Sequence, residues 1–190
     1  TYQKIVTDIT ITDPDDTSTE AVYIQISSGY KNGQDQLTLT GLHPTITSSW
    51  DITTGKLKLY SPTGIPVSYF DLIAAIKDIE YTNFSATPSG TREFSISVGQ
   101  ANFLPSNGHY YQFVSNLGIS WSDAKIAAEN STYYGLQGYL ATITALDEAL
   151  LVGEQASGTG WIGGTDEEQE GVWKWVTGPE KGIVFSGVLI

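Results

Sequence analysis

The chain has 190 residues, 40% of them apolar and 16% charged, with 20 glycines and 12% aromatics, which is material for one large domain or two small ones rich in strands and turns. Its 21 acids against 9 bases give a net charge of −12, a field that repels phosphate backbones and argues against nucleic acid as a partner. Cysteine is absent, which excludes disulfides, thiolate metal sites and cysteine nucleophiles, and no apolar run reaches the length of a membrane-spanning helix, so no membrane insertion is expected.

An acidic chain suits a calcium-rich exterior, because hard cations take carboxylate and carbonyl oxygens. Keeping a secreted protein soluble explains most of the acids equally well. The sequence starts at Thr1, lacks methionine and shows no signal peptide. It reads as a piece of a longer, processed polypeptide.

Residues 1–100 read as all-β. Ile5, Thr7, Ile9 and Ile11 alternate with polar neighbours, as do Val22, Ile24 and Ile26. Leu37 with Leu39, Leu57 with Leu59, and Phe94, Ile96 and Val98 repeat the period of two. Thr53-Thr54-Gly55-Lys56 predicts a hairpin turn, and Pro88-Ser89-Gly90-Thr91 a turn into the last strand. Between Val67 and Ile79, Phe70, Ile73, Ala74 and Lys77 suit a short helix. Strands at this spacing predict a sandwich. Residues 99–107, with one proline, read as a short fixed junction, giving a first domain over 1–100, a linker over 101–107 and a second domain over 108–190.

The second half changes period. His109 to Val114 predicts an aromatic strand. Ser120-Trp121-Ser122-Asp123 has capping-box spacing and opens a helix to about Asn130, with Trp121, Ala124 and Ala128 on one face. Tyr139 to Ile143 predicts a buried strand. Thr144 and Asp147 then cap a helix ending near Gln155, with Leu146, Ala149 and Leu150 inward. Trp161-Ile162-Gly163-Gly164-Thr165-Asp166 leads through an acidic turn to Glu170-Gly171-Val172-Trp173-Lys174-Trp175-Val176-Thr177-Gly178. In a strand there, Trp173 and Trp175 share one face and mark a core.

These motifs carry two resemblances. Asp13-Pro14-Asp15-Asp16, Ala21-Val22-Tyr23-Ile24, Gly33-Gln34-Asp35, Thr54-Gly55-Lys56-Leu57, Ile79-Glu80-Tyr81-Thr82-Asn83 and Gly90-Thr91-Arg92, in that order, look like the cadherin-like repeats of large bacterial adhesins. Such repeats stand in tandem and act as stalk. The Trp-Ile-Gly, Thr-Asp and Glu-Gly-x-Trp-x-Trp series resembles the centre of a C-type lectin-like domain, over about residues 108–182. The Gly108-His109-Tyr110-Tyr111 opening and the Gly135-Leu136-Gln137-Gly138-Tyr139-Leu140-Ala141-Thr142-Ile143 segment are similar to members found in surface proteins of gliding, Bacteroidota-type bacteria. The resemblance implies an all-β cadherin/Ig-like sandwich followed by the N-terminal part of an α+β C-type lectin-like domain. Two departures accompany it. The disulfides of the animal family are missing, and the Glu-Pro-Asn and Trp-Asn-Asp segments that build the family's sugar-binding calcium site do not occur. A core lacking that second half would expose Trp173 and Trp175.

By resemblance, Asp166 and Glu170 stand where the family places two ligands of an auxiliary calcium site. Two carboxylates are a partial shell for an ion that takes six to eight oxygens, and solvated acids in a turn are the rival reading. Glu167 and Glu168 are expected to face solvent. Asp13, Asp15 and Asp16 suit either calcium at the end of a cadherin-like repeat or a turn started by Asp-Pro. His43 and His109 fall in different domains, so no Ser-His-Asp arrangement follows. Trp161, Trp173 and Trp175 are expected in the core, leaving Tyr133 and Tyr134 as the aromatics available to a ligand.

The sequence therefore reads as a non-enzymatic segment of a secreted bacterial cell-surface adhesin. A stalk repeat is joined to a lectin-like, carbohydrate-binding module, with calcium as cofactor. Its partners would be a glycan or surface protein ligand and neighbouring repeats of the same polypeptide. The alternative is a structural or protein-assembly module of a surface filament without sugar binding. A carboxylate-type enzyme would need a cleft with a perturbed acid, which no motif identifies.

Overall fold

A computed structural model of the chain describes residues 2–185. The fold is β-rich with a few short helices, arranged as two compact units: Thr1–Gln112 with Leu146–Ser157, and Phe113–Ala145 with Gly158–Ile190. Among the described residues, no helix is long and apolar enough to cross a membrane.

The first unit is built on a four-stranded and a three-stranded sheet. One has the order β5 (Thr47–Asp51), β6 (Lys56–Tyr60), β3 (Ala21–Ser28), β9 (Glu93–Ser97); the other runs β1 (Tyr2–Lys4), β8 (Ile79–Asn83), β4 (Asp35–Leu39). All their pairings are antiparallel. A two-stranded pair joins β2 (Ser18–Thr19) to β7 (Val67–Ser68), which leads into helix α1 (Tyr69–Lys77). Val22, Ile24, Ile26, Leu57 and Leu59 from the first sheet, Leu37 and Ile79 from the second, and Leu72, Ala75 and Ile76 from α1 form one core cluster.

The expected helix is present, capped by Ser68, whose hydroxyl accepts the Asp71 amide at 3.1 Å. Leu72, Ala75 and Ile76 are buried, continued by Ile79, whereas Phe70 is 83% exposed; the i, i+3, i+4, i+7 row belongs to the Leu72 phase. The Thr53–Lys56 turn forms as expected, with Gly55 at φ +64° between β5 and β6. Ile5 to Ile11 is not a strand. Ile5, Val6, Ile9 and Ile11 pack against the core from an irregular segment, so alternation there reflects packing without a ladder.

β3 is buried on both faces: Ile24 and Ile26 face the core, while Gln25 and Ser27 on the opposite face are also buried. The cover of that second face comes from later in the chain. β10 (Asn102–Leu104) pairs with β11 (His109–Tyr111), so the segment read as a junction contains a strand. α3 (Leu146–Ala149) runs into a π-helical turn, Leu150–Glu154. β10 and this turn pack on β3, and Ala101, Leu104 and Leu151 are buried. The inward residues of the α3 region are Glu148, Leu151 and Gln155, while Leu146 is 74% exposed. The wider π turn rotates the inward phase away from the Leu146, Ala149, Leu150 row. Gln155 Nε2 donates to Ile26 O and Thr54 O, both at 2.9 Å.

The second unit has α2 (Trp121–Glu129), hairpin β12 (Thr132–Tyr133) with β13 (Leu136–Gln137), and hairpin β14 (Gly164–Thr165) with β15 (Lys174–Trp175). Ser120 caps α2 as expected: its Oγ accepts the Asp123 amide at 3.1 Å and donates to Asp123 Oδ2 at 2.7 Å, so the Asp123 carboxylate meets the capping hydroxyl. Trp121, Ala124 and Ala128 are half-buried, and nothing on α2 is fully buried. Tyr139 to Ile143 is not a strand, and only Thr142 in it is buried. Single contacts hold it instead: Gly163 N to Ala141 O at 2.8 Å and Thr177 Oγ1 to Leu140 O at 2.8 Å.

Candidate functional site

The centre of the second unit is built around close backbone approach. A Cβ on Gly163 would sit 1.8 Å from Thr177 Oγ1 and 2.9 Å from Leu140 O, and one on Gly164 would sit 2.8 Å from the Phe185 ring. The paired glycines of the Trp-Ile-Gly-Gly segment are thus required by space. Two indoles tie the segment to the start of α2 reciprocally: Trp121 Nε1 donates to Ile162 O, and Trp161 Nε1 to Ile119 O, each at 2.9 Å.

The three tryptophans separate. Trp175 is 2% exposed and stacks on Phe185 with ring centroids 4.1 Å apart. Trp173 and Trp161 are 42% and 53% exposed, so the expectation that all three lie in the core holds for Trp175 alone. The ladder explains the difference. Only Lys174 and Trp175 are in β15, and Trp173 still belongs to the acidic loop.

That loop, residues 166–173, closes on itself. Asp166 Oδ2 accepts the Gly171 amide at 3.2 Å, its carbonyl accepts Gln169 N at 3.1 Å, and Thr165 Oγ1 accepts Glu167 N at 3.2 Å. Asp166 is half-buried and Glu170 exposed. One Asp166 oxygen therefore serves the turn, and Glu170 lies on the same loop in solvent. Among the described residues, no group of three or more His, Asp or Glu side chains is placed to hold a metal ion. The donor set here is two carboxylates, well short of a calcium shell.

In the first unit Asp13 starts the turn that the Asp-Pro sequence favours. Its Oδ1 accepts the amides of Asp15 and Asp16 at 3.1 and 3.2 Å, and its Oδ2 accepts the Tyr69 hydroxyl at 2.9 Å; these bonds hold its carboxyl below the usual carboxylate range. Asp15 and Asp16 are exposed. His43 is bonded to Thr40 O at 3.1 Å and lies 3.2 Å from Asp78, and His109 stands beside Tyr111. Of the two tyrosines expected to be available to a ligand, Tyr134 is 63% exposed at φ +49°, with Tyr133 edge-on against it.

A groove of about 340 Å³ lies beside the acidic loop, entirely within the second unit, near the small end of ligand clefts. Trp121, Ser122 and Lys125 of α2 line one side, and Thr165, Glu168 and Lys174 of the β14–β15 hairpin the other, with Ile126 and Val176 as apolar surface. Lys174 pairs with Glu168, and Lys125 with Glu129 at 2.8 Å. The sequence reading did not select this groove. Its members are spread over about 55 positions and none belongs to a recognisable motif of binding residues; Glu168, expected in solvent, is its outer rim.

No family model matches the chain, and no solved structure matches it. Over 188 residues, 93% of the chain, it is 37% identical to Halomucin of Haloquadratum walsbyi (strain DSM 16790 / HBSQ001), and it spans about 2% of that protein's length. Over 79 residues, 40% of the chain, it is 39% identical to C-type lectin domain family 4 member F of Mus musculus, of which it covers 13%. The similarity is thus to small parts of longer proteins, and neither match shows a link to cadherin-like repeats or to Bacteroidota-type bacteria.

Proposed function

We propose that this chain is a segment of a large extracellular surface protein in which residues 108–190 act as a lectin-like, carbohydrate-binding module and residues 1–100 as a cadherin-like stalk repeat. The observation that carries the carbohydrate reading is the 39% identity over 79 residues to a C-type lectin domain protein. The groove beside the acidic loop supports it, since an indole wall, two hydroxyls and charged groups converge there, as sugar recognition needs. The match to Halomucin along almost the whole chain supports placement in a very long cell-surface polypeptide, and the bacterial adhesin reading is kept for the stalk arrangement. Calcium, if used, would take Asp166 and Glu170 as two of its oxygens, and the groove does not depend on it.

The second reading is an assembly module without sugar binding. It is favoured by the exposed Trp161 and Trp173, which suit a protein partner as well as a glycan. Presenting the 190-residue chain to an array of immobilised glycans decides between them. Reproducible saturable binding to a saccharide class is expected; a blank array replaces the lectin-like function with the assembly one.

A further inference from the structure

The second unit carries three lysines, Lys125, Lys174 and Lys181, and no arginine. Two of the three line the same groove, in a chain whose net charge is −12. Each is neutralised by a more exposed carboxylate. Lys174 is 21% exposed against 76% for Glu168, and Lys125 is 29% exposed against 46% for Glu129. Both lysines line the groove, as do Glu168 and the exposed Glu167, whereas Glu129 is not among its lining residues.

We propose that this groove binds acidic saccharides of the uronate class, the sugar carboxylate replacing Glu168 on Lys174. This rests on the carbohydrate-binding reading above and names the ligand. Exposed ion pairs hold their partners weakly, because solvent screening and side-chain entropy offset the attraction. A ligand carboxylate presents the same oxygens to Lys174 as Glu168 does, so exchange releases one exposed side chain and keeps the charge-assisted bond. Lys125 supplies a second cation on the α2 wall. The remaining lining fits a sugar ring rather than a bare anion: Trp121 offers an indole whose orientation is fixed by its bond to Ile162 O, and Ser122 and Thr165 place hydroxyls beside it. The net charge of the chain disfavours a densely charged polyanion, and the groove offers two lysines, each already paired with a carboxylate.

The test is titration of the full 190-residue chain with a galacturonate trisaccharide, followed by calorimetry and by the Trp121 indole N–H resonance. Cellotriose serves as the neutral control and triglutamate as the carboxylate without a sugar. Binding of the trigalacturonate is expected, weakening as salt is added. Glu168→Gln, at an exposed position, is expected to tighten it about threefold by removing the competing carboxylate, and Lys174→Gln to weaken it about tenfold. A purely structural pair predicts no tightening, so unchanged or weaker binding in Glu168→Gln overturns the proposal. So does triglutamate binding as well as trigalacturonate. Binding of neutral saccharides without uronates overturns the ligand class and leaves the carbohydrate-binding function standing. Absence of binding to every saccharide on the array removes both.

Discussion

Asp35 shows how one residue can explain several separate motifs. Its side chain is fully buried, and it accepts bonds from Arg92 Nε at 2.7 Å, Tyr81 OH at 2.7 Å, Asn83 Nδ2 at 2.5 Å and the Lys31 amide at 2.7 Å. Burial alone would raise its pKa, but Arg92, Tyr81, Asn83 and Lys31 together lower it. A carboxyl depressed in the folded state contributes stability that is complete above the unfolded value near 3.8 and is lost as pH falls through the folded value. Asp35→Asn is therefore expected to cost about 3–5 kcal/mol at neutral pH, because Arg92 is left unpaired and 8% exposed, and to flatten the acid limb of a urea-unfolding series. Lys56 adds a slope of the same sign in an alkaline window. Burial pushes its amine down to about 8 against the pull of Asp51, and its Nζ donates to Gln100 O at 2.8 Å. The unfolded chain then binds more protons between about 8 and 10.5, so stability rises with pH over that window. Tyr30, raised to about 12, opposes this above pH 10. Denaturant midpoints at pH 8 and pH 9.5 should show the rise in the native chain and its loss in Lys56→Gln.

At the scale of elements, the covering of β3 is the part of the fold that local patterns could not announce. Gln155 satisfies two buried carbonyls, Ile26 O and Thr54 O, on a sheet more than 100 residues earlier in the chain. Gln155→Ala removes a donor from each, leaving Thr54 O with the 3.3 Å bond from Gln25 Nε2, and should cost about 2 kcal/mol, measured by chemical denaturation. Gly163→Ala should cost about as much by overpacking against Thr177 and Leu140, and thermal melts of the two variants check both. The hairpin at Gly55, the Ser68 and Ser120 caps and the Val22–Ile26 strand were legible because each depends on residues within one or two turns of the chain. The fragments around Asp35, Tyr81-Thr82-Asn83 and Arg92 were visible only as motifs in order; their convergence on one carboxylate is a tertiary fact. Tyr139 to Ile143 misled for the complementary reason. Its apolar residues are drawn in by Gly163 and Thr177 one bond at a time, which gives a strand-like pattern without a strand. The groove was illegible because its opposing walls come from α2 and the β14–β15 hairpin, and its cations looked like ordinary surface lysines.

For the whole molecule, the excess of 21 acids over 9 bases means that the compact state is held against its own charge. Screening should relieve that repulsion, so the melting temperature is expected to rise by several degrees between low salt and about 0.5 M NaCl, where the Debye length falls well below 10 Å. The same logic separates general screening from a calcium site. Magnesium and calcium at equal ionic strength screen equally, but calcium accepts irregular oxygen sets that magnesium does not. If Asp166 and Glu170 hold an ion, calcium should raise the melting temperature beyond magnesium and perturb the fluorescence of Trp173, which follows Glu170 by three residues on the exposed loop. Asp166→Asn with Glu170→Gln should abolish that excess while leaving the NaCl response intact. Equal responses to the two ions would mean that the acids of this loop act as solvated charge, with Asp166 serving only to close the turn on Gly171. In that case saccharide recognition would rest on the lysine-lined groove without a metal.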